Sequence, residues 1–177
     1  HPHCRRQRQM CIRDRLYVRD GKESTADISR AVVPLSTVRR DQSTIRIKAF
    51  QLDTATKVKE NVDKVSGPLI LDLRGNPGGS LEGGVETARL FLPKGAKITT
   101  VTAANGQPFA YDAVEDGAFS GRKLTVLVNK QTASAAEVLT AELQDNKDAS
   151  VVGTDSRTYG KGVIKTCLLY TSQSTRD

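Results

Sequence analysis

The sequence predicts an α/β fold built on a mainly parallel sheet. Three observations carry that expectation. The runs LILDL at 69–73, LTVLV at 124–128 and ASVV at 149–152 are short and apolar enough for strands buried on both faces. Segments with apolar residues at helical spacing precede and separate them. The resulting order of helix, strand, glycine loop, helix, strand, helix and strand calls for crossover connections, and these join parallel strands.

The elements follow in order. YVRDGKE, 17–23, alternates about Asp20-Gly21 and reads as a hairpin. RAVVPL, 30–35, is a β-branched run crossed by Pro34, which places it at a sheet edge or a strand end. STIRIKAF, 43–50, alternates, with Ile45, Ile47 and Phe50 on linked faces. TATKVKENVDKV, 54–65, sets Val58, Val62 and Val65 at helical spacing opposite a charged surface. Gly67-Pro68 turns the chain into LILDL. NPGGS, 76–80, is a glycine loop, and a helix is expected from Leu81 to Leu92, closed by Pro93 and Gly95. Residues 96–113 hold a strand, an Asn105-Gly106 turn and a second strand. LTVLV leads through NKQTASAAEV into a helix ending near Asn146. ASVVGT is a last buried strand, and its loop DSRTYGKG runs into VIKT.

The chain carries 27 basic and 20 acidic residues, a net charge of +7. Much of that excess lies at its ends. The head, HPHCRRQRQMCIRDR, has no apolar stretch of the kind found in secretory signals. MCIRDR and CLLYTS are what opposite strands of one short nucleotide sequence can encode, a sequence that resembles the transposase adapter used in sequencing libraries; the competing reading is a natural basic tail. Residues 1–15 and 167–177 are therefore expected to be adapter-derived and foreign to the fold. They hold six basic and two acidic residues, so 21 basic and 18 acidic remain between them, a net +3. That balance does not point to a nucleic-acid partner.

The same ends hold every histidine and cysteine: His1, His3, Cys4, Cys11 and Cys167. The body can build neither a Cys–His pair nor a Ser–His–Asp triad, and it lacks the nitrogen and sulfur ligands of a zinc site. No metal and no cofactor is expected. No apolar run is long enough to read as a transmembrane segment.

Ser134 is the first candidate for chemistry. It follows a buried strand across a tight connection and opens a helix, an arrangement that resembles a nucleophile elbow. Unpaired N–H groups at the helix start would favour developing negative charge there. Ala133, Ala135 and Ala136 would let a substrate backbone approach. The competing reading makes Thr132 or Ser134 an N-cap and Glu137 its capping partner. A nucleophilic serine needs a base, and with histidine excluded the conventional option is a desolvated lysine. Lys161, between Gly160 and Gly162, is the candidate, because parallel strands bring both C-terminal loops to one sheet edge. Its competing reading is an ordinary turn lysine. Gly78 and Gly79 could present backbone N–H groups to an oxyanion or to substrate backbone, as could Ala135; otherwise NPGG is a plain β-to-α turn. Arg74 and Asp72 would support that loop. Nucleotide motifs are excluded: GNPGGS is not G-x-G-x-x-G, and six residues separate Gly153 from Gly160 where a Walker A loop has four.

LILDLRGNPGG, VLVNKQTASAAEV with LQDN, and TYGKG, in that order, resemble the carboxyl-terminal processing or tail-specific proteases of the S41 family. The resemblance spans about residues 28–166. It implies a crotonase/ClpP-like core over residues 31–166, with the end of a PDZ domain at 16–30. It also implies a Ser–Lys dyad of Ser134 and Lys161, and an acyl-enzyme mechanism that cleaves near the C-terminus of protein substrates. Gly78 and Gly79 match the loop that binds the oxyanion or the substrate backbone. GKGVIKT departs from the family pattern, placing Lys165 where a glutamine often orients the lysine. A second ammonium there would favour neutral Lys161 but could accept no hydrogen bond from it. The loop before Lys161 is also longer than is common. The partners implied are protein or peptide C-terminal regions, membrane-associated substrates among them. The compartment implied is the bacterial periplasm or exterior, or the thylakoid lumen. A catalytically impaired peptide-binding member of the same fold is the alternative. A crotonase-like acyl-CoA enzyme is a more distant one, against which the serine–lysine pairing argues.

Overall fold

The structure is a computed structural model that describes residues 12–29, 36–102, 106–147 and 149–162, with the backbone alone at 12–15 and 27–29. The head up to residue 11, the RAVVPL strand, Lys165 with the VIKT segment, and the tail 167–177 lie outside the described residues. The chain divides into two compact units, residues 1–36 and 37–177.

In the first unit, strands β1 (Ile12–Arg19) and β2 (Lys22–Ser29) form one antiparallel hairpin. Its two-residue turn has positive φ at both Asp20 and Gly21, the backbone twist that suits a tight hairpin. Leu16, Tyr17 and Val18 are exposed, so the hairpin encloses no core of its own.

The second unit is built on a five-stranded sheet. Strands β3 (Val38–Asp41) and β4 (Thr44–Ile47) are antiparallel, joined by a turn in which Gln42 has φ 49°. Helix α1 (Thr54–Val62) follows, then β5 (Leu69–Asp72), which pairs parallel to β4. Helix α2 (Leu81–Arg89) starts at Ser80, whose hydroxyl accepts from Gly83 N at 3.1 Å. Strands β6 (Lys97–Thr102) and β7 (Pro108–Asp112) form a separate antiparallel pair. Strand β8 (Leu124–Val128), helix α3 (Ala135–Lys147) and strand β9 (Ser150–Gly153) complete the described elements. The large sheet runs β3-β4-β5-β8-β9, with β5, β8 and β9 mutually parallel.

The core comes from the residues that the periodicities single out. Ile45 and Ile47 of β4, Leu69 and Leu71 of β5, and Val126 of β8 are at most 1% exposed, as are Val58 and Val62 of α1 and Leu139 and Leu143 of α3. Helix α1 packs on β3, β4 and α2, and α2 packs on α3. Arg122 helps close the end of α1, donating to Val62 O, Val65 O and Gly67 O at 2.6–3.2 Å. Such bonds satisfy carbonyls that a helix end leaves unpaired.

Two expectations need correction. The sheets are mixed rather than mainly parallel. Among the described residues three strand pairings are parallel and three are antiparallel. The cause is connection length, since the tight links β1–β2 and β3–β4 permit only antiparallel pairing. The crotonase/ClpP-like core and the PDZ remnant also do not hold. The second unit is an α/β core with a mixed sheet and, among the described residues, three helices, and residues 16–29 belong to the β1–β2 hairpin.

Candidate active site

Parallel strands deliver their C-terminal loops to one edge, and β5, β8 and β9 are neighbours. The loops after them are 73–80, 129–134 and 154–161. They carry Gly78 and Gly79, Ser134, and Lys161 respectively, so the elements singled out in the sequence meet at one sheet edge.

The first two loops are joined by hydrogen bonds between buried groups. Asn76 is fully buried; its Nδ2 donates to Ile47 O at 2.9 Å, and its Oδ1 accepts from Gly78 N at 2.8 Å. Ala133 N donates to Asn76 O at 2.9 Å. Thr132, also fully buried, donates through Oγ1 to Leu73 O at 2.9 Å and accepts from Asn129 N at 3.0 Å. Asn129 Oδ1 in turn accepts from Gly75 N at 2.9 Å. Buried polar groups in such a cluster cost stability unless each is satisfied, and here each finds a partner.

The glycines of NPGG are fixed by closeness. A Cβ on Gly78, at φ 95°, would lie 2.7 Å from Ser134 Cβ and 2.8 Å from Ala133 O. A Cβ on Gly79, at φ 133°, would lie 2.3 Å from Phe50 O. Phe50 N donates to Gly78 O and Ser80 N donates to Phe50 O, each at 2.9 Å, so the loop pairs with the chain after β4. The Gly78 N–H is already used by Asn76. Among the described residues the N–H groups of Gly79 and of Ala135, at the start of α3, have no partner.

Ser134 has φ 56°, a left-handed backbone that a non-glycine residue adopts at a cost of order 1–3 kcal/mol. It stands on a sharp strand-to-helix turn, an arrangement that resembles a nucleophile elbow. The capping reading is half realised. Glu137 Oε2 accepts from Ser134 N at 2.8 Å, but among the described residues Ser134 Oγ makes no hydrogen bond, so the hydroxyl is not spent as a cap.

Glu137 does more than cap. Its Oε1 accepts from Thr158 Oγ1 and from Gly160 N, both at 2.6 Å, and its Oε2 also accepts from Lys161 N at 2.9 Å. The backbones of Ser134 and Lys161 thus share one carboxylate oxygen. Burial pushes the Glu137 carboxyl upward, but the bonds from Thr158, Gly160, Lys161 and Ser134 outweigh it, and the pKa lies below the usual glutamate value. The Lys161 side chain is exposed, and among the described residues no hydrogen bond joins it to Ser134 Oγ. Lys165 is outside the described residues, so its place relative to Lys161 does not enter.

Asp72 and Arg74 pair with each other at the start of the loop 73–80. Arg74 Nε and Nη2 donate to Asp72 Oδ1 and Oδ2 at 2.8 and 2.9 Å, and Arg46 Nη1 lies 3.8 Å from Oδ2. Burial raises the Asp72 pKa, but the Arg74 bonds and the two cations prevail and hold it below the ordinary value. Sequence reasoning missed Asn76 and Asn129 as tethers, and the long-range bonds of Glu137. The Ser-x-x-Glu spacing announces only its bond to Ser134. Among the described residues no group of three acidic, histidine or cysteine side chains could hold a metal ion, and no helix is long and apolar enough to cross a membrane.

Residues 41–175 match the profile of Peptidase family S41, and the chain belongs to that family. It is 35% identical over 161 residues to the carboxy-terminal processing protease CtpA of Bacillus subtilis, covering 84% of this chain and 33% of that protein. It is 47% identical over 96 residues to the carboxyl-terminal-processing protease of Synechocystis, covering 54% of this chain and 22% of that protein. The chain thus spans a third or less of the length of these two relatives. A solved photosystem II D1 C-terminal processing protease superposes with a TM-score of 0.64 at 29% identity, over 81% of this chain and 42% of that one. That likeness places the mixed α/β architecture with the S41 peptidases and replaces the crotonase/ClpP-like expectation.

Proposed function

We propose that this chain is the core of a serine endopeptidase that cleaves protein substrates near their C-termini, with Ser134 as nucleophile and Lys161 as general base. One observation carries the reading. Ser134 sits at φ 56° on a strand-to-helix turn, its hydroxyl unengaged, with its N–H on the same carboxylate oxygen as the N–H of Lys161. In the mechanism, the Lys161 amine removes the Ser134 proton and the alkoxide attacks a peptide carbonyl. The oxyanion takes hydrogen bonds from the free N–H groups of Gly79 and Ala135, while Gly78 packs against the nucleophile. Lys161 then passes its proton to the leaving amine, and a water activated by the same amine releases the acyl group. Bonds between catalytic groups often tighten only once substrate is bound.

The names of the relatives support carboxyl-terminal processing as the activity. The periplasm or the thylakoid lumen is the compartment this reading favours. Hydrolysis of peptides with free C-termini tests it, and Ser134→Ala should lower turnover at least about a thousandfold. Unchanged hydrolysis in that variant would sink the assignment. A second reading, peptide binding without cleavage, is favoured by the exposed Lys161 side chain. It predicts peptide affinity that survives Ser134→Ala in a chain with no turnover.

A further inference from the structure

We propose that Glu137 is a positioning residue of the Ser134–Lys161 pair, its carboxylate docking the loop 154–161 on the start of α3 so that base and nucleophile meet only while this clasp is closed. The inference rests on the Ser–Lys reading above. Helix capping explains one of the four bonds that Glu137 accepts, the one from Ser134 N. The other three come from residues 21, 23 and 24 positions away, all in the loop that carries the base.

An ionised carboxylate is the side chain suited to this place, because it only accepts and offers lone pairs on both oxygens. Glutamine has the same shape but turns one oxygen into an NH2 donor. In one orientation that donor faces the N–H groups of Ser134 and Lys161. In the other it faces Gly160 N, which cannot reverse its role. Either way two donors oppose each other. The rest of the loop is held more simply: Tyr159 N donates to Thr132 O at 3.0 Å, and Asp155 Oδ2 accepts from Lys130 N at 3.1 Å. Neither contact touches Ser134 or Lys161, so the link between nucleophile and base runs through Glu137.

Glu137→Gln, Thr158→Val and Thr158→Ser in this chain test the clasp, with amide hydrogen exchange and peptide hydrolysis read together. Glu137→Gln should speed exchange at Gly160 and Lys161 at least about tenfold while leaving β8 protected. It should also lower kcat about a hundredfold with KM changed by less than about threefold. Thr158→Val, which removes one bond and is milder should the first variant fail to fold, should lower kcat about fivefold, and Thr158→Ser should restore it. Unchanged exchange in Glu137→Gln overturns the proposal, as does faster exchange with kcat intact. Absence of Ser134-dependent hydrolysis in the unsubstituted chain overturns the Ser–Lys reading itself, and the exchange data would then report a loop tether with no catalytic role.

Discussion

The proposed nucleophile, Ser134, and the proposed base, Lys161, stand in unlike surroundings although their backbone N–H groups share one carboxylate oxygen. Ser134 lies on a turn tied to the loop 73–80 by the buried Thr132 hydroxyl and by the backbone carbonyl of buried Asn76. Lys161 lies on an exposed loop attached to the same turn chiefly through Glu137. The first arrangement is part of the fold, because undoing it would expose buried polar groups without partners. The second is a docked segment, held through bonds that are exposed or only part-buried. Backbone strain at Ser134 is tolerated because the surrounding buried bonds hold that turn, whereas the loop of Lys161 rests on bonds nearer the surface.

The largest effect should come from attacking the rigid side. Gly79→Ala places a methyl group 2.3 Å from Phe50 O on a backbone with φ 133°, so the pairing with Phe50 must break. A loss of about 3 kcal/mol or more is expected in denaturant unfolding, with the Gly79 N–H displaced as well. A variant of native stability would show that the loop is softer than its contacts imply and would erase the contrast with the base loop.

Acid titration probes both sides at once. Asp72 supports the rigid loop and Glu137 the docked one, and both have folded pKa values below their ordinary 3.8 and 4.5. Stability from such groups is fully present above the ordinary value and is lost as pH falls through the folded one. Glu142 on α3 has the opposite sign. Burial first, then the Asp145 charge, raises it to about 7, so its contribution weakens as pH rises from about 4.5 to 7. The melting temperature should therefore peak near pH 5 and fall on both sides, towards pH 7 and below pH 4. Glu142→Gln should flatten the limb above the peak and leave the acid one. A peak at neutral pH that this variant does not move would contradict the assignment.

The limits of the sequence follow from what each feature depends on. LTVLV becomes β8 with the expected bounds because a short run buried on both faces needs only apolar residues. The helix expected at 54–65 stops at Val62, and the one expected at 81–92 stops at Arg89, the chain leaving each in a turn. Strand β3, VRRD, escapes notice because only Val38 of its four residues is buried and no alternation shows. Ser134 and its loop partners are legible because a strand, a tight turn and a capping pattern are all local. The second role of Glu137 is not, since three of its four donors lie more than twenty residues away. The same holds for Asn76, whose amide reaches Ile47 O only after β4 and β5 have paired.

The smallest expected effect bears most directly on why the rigid side is strained. Ser134→Gly removes the hydroxyl and relieves the left-handed backbone at φ 56°, whereas Ser134→Ala removes the hydroxyl and keeps the strain. Glycine in this conformation gains about 1 kcal/mol over a residue with a Cβ, less the extra freedom it gives the unfolded chain. Ser134→Gly should therefore melt a few degrees above Ser134→Ala, with both inactive. Such a gap would measure the stability spent on aiming the serine hydroxyl out of the turn. Equal melting temperatures would mean that the buried contacts of Asn76 and Thr132 do not force the turn into that conformation, and that the rigid side and the docked side differ less than their burial suggests.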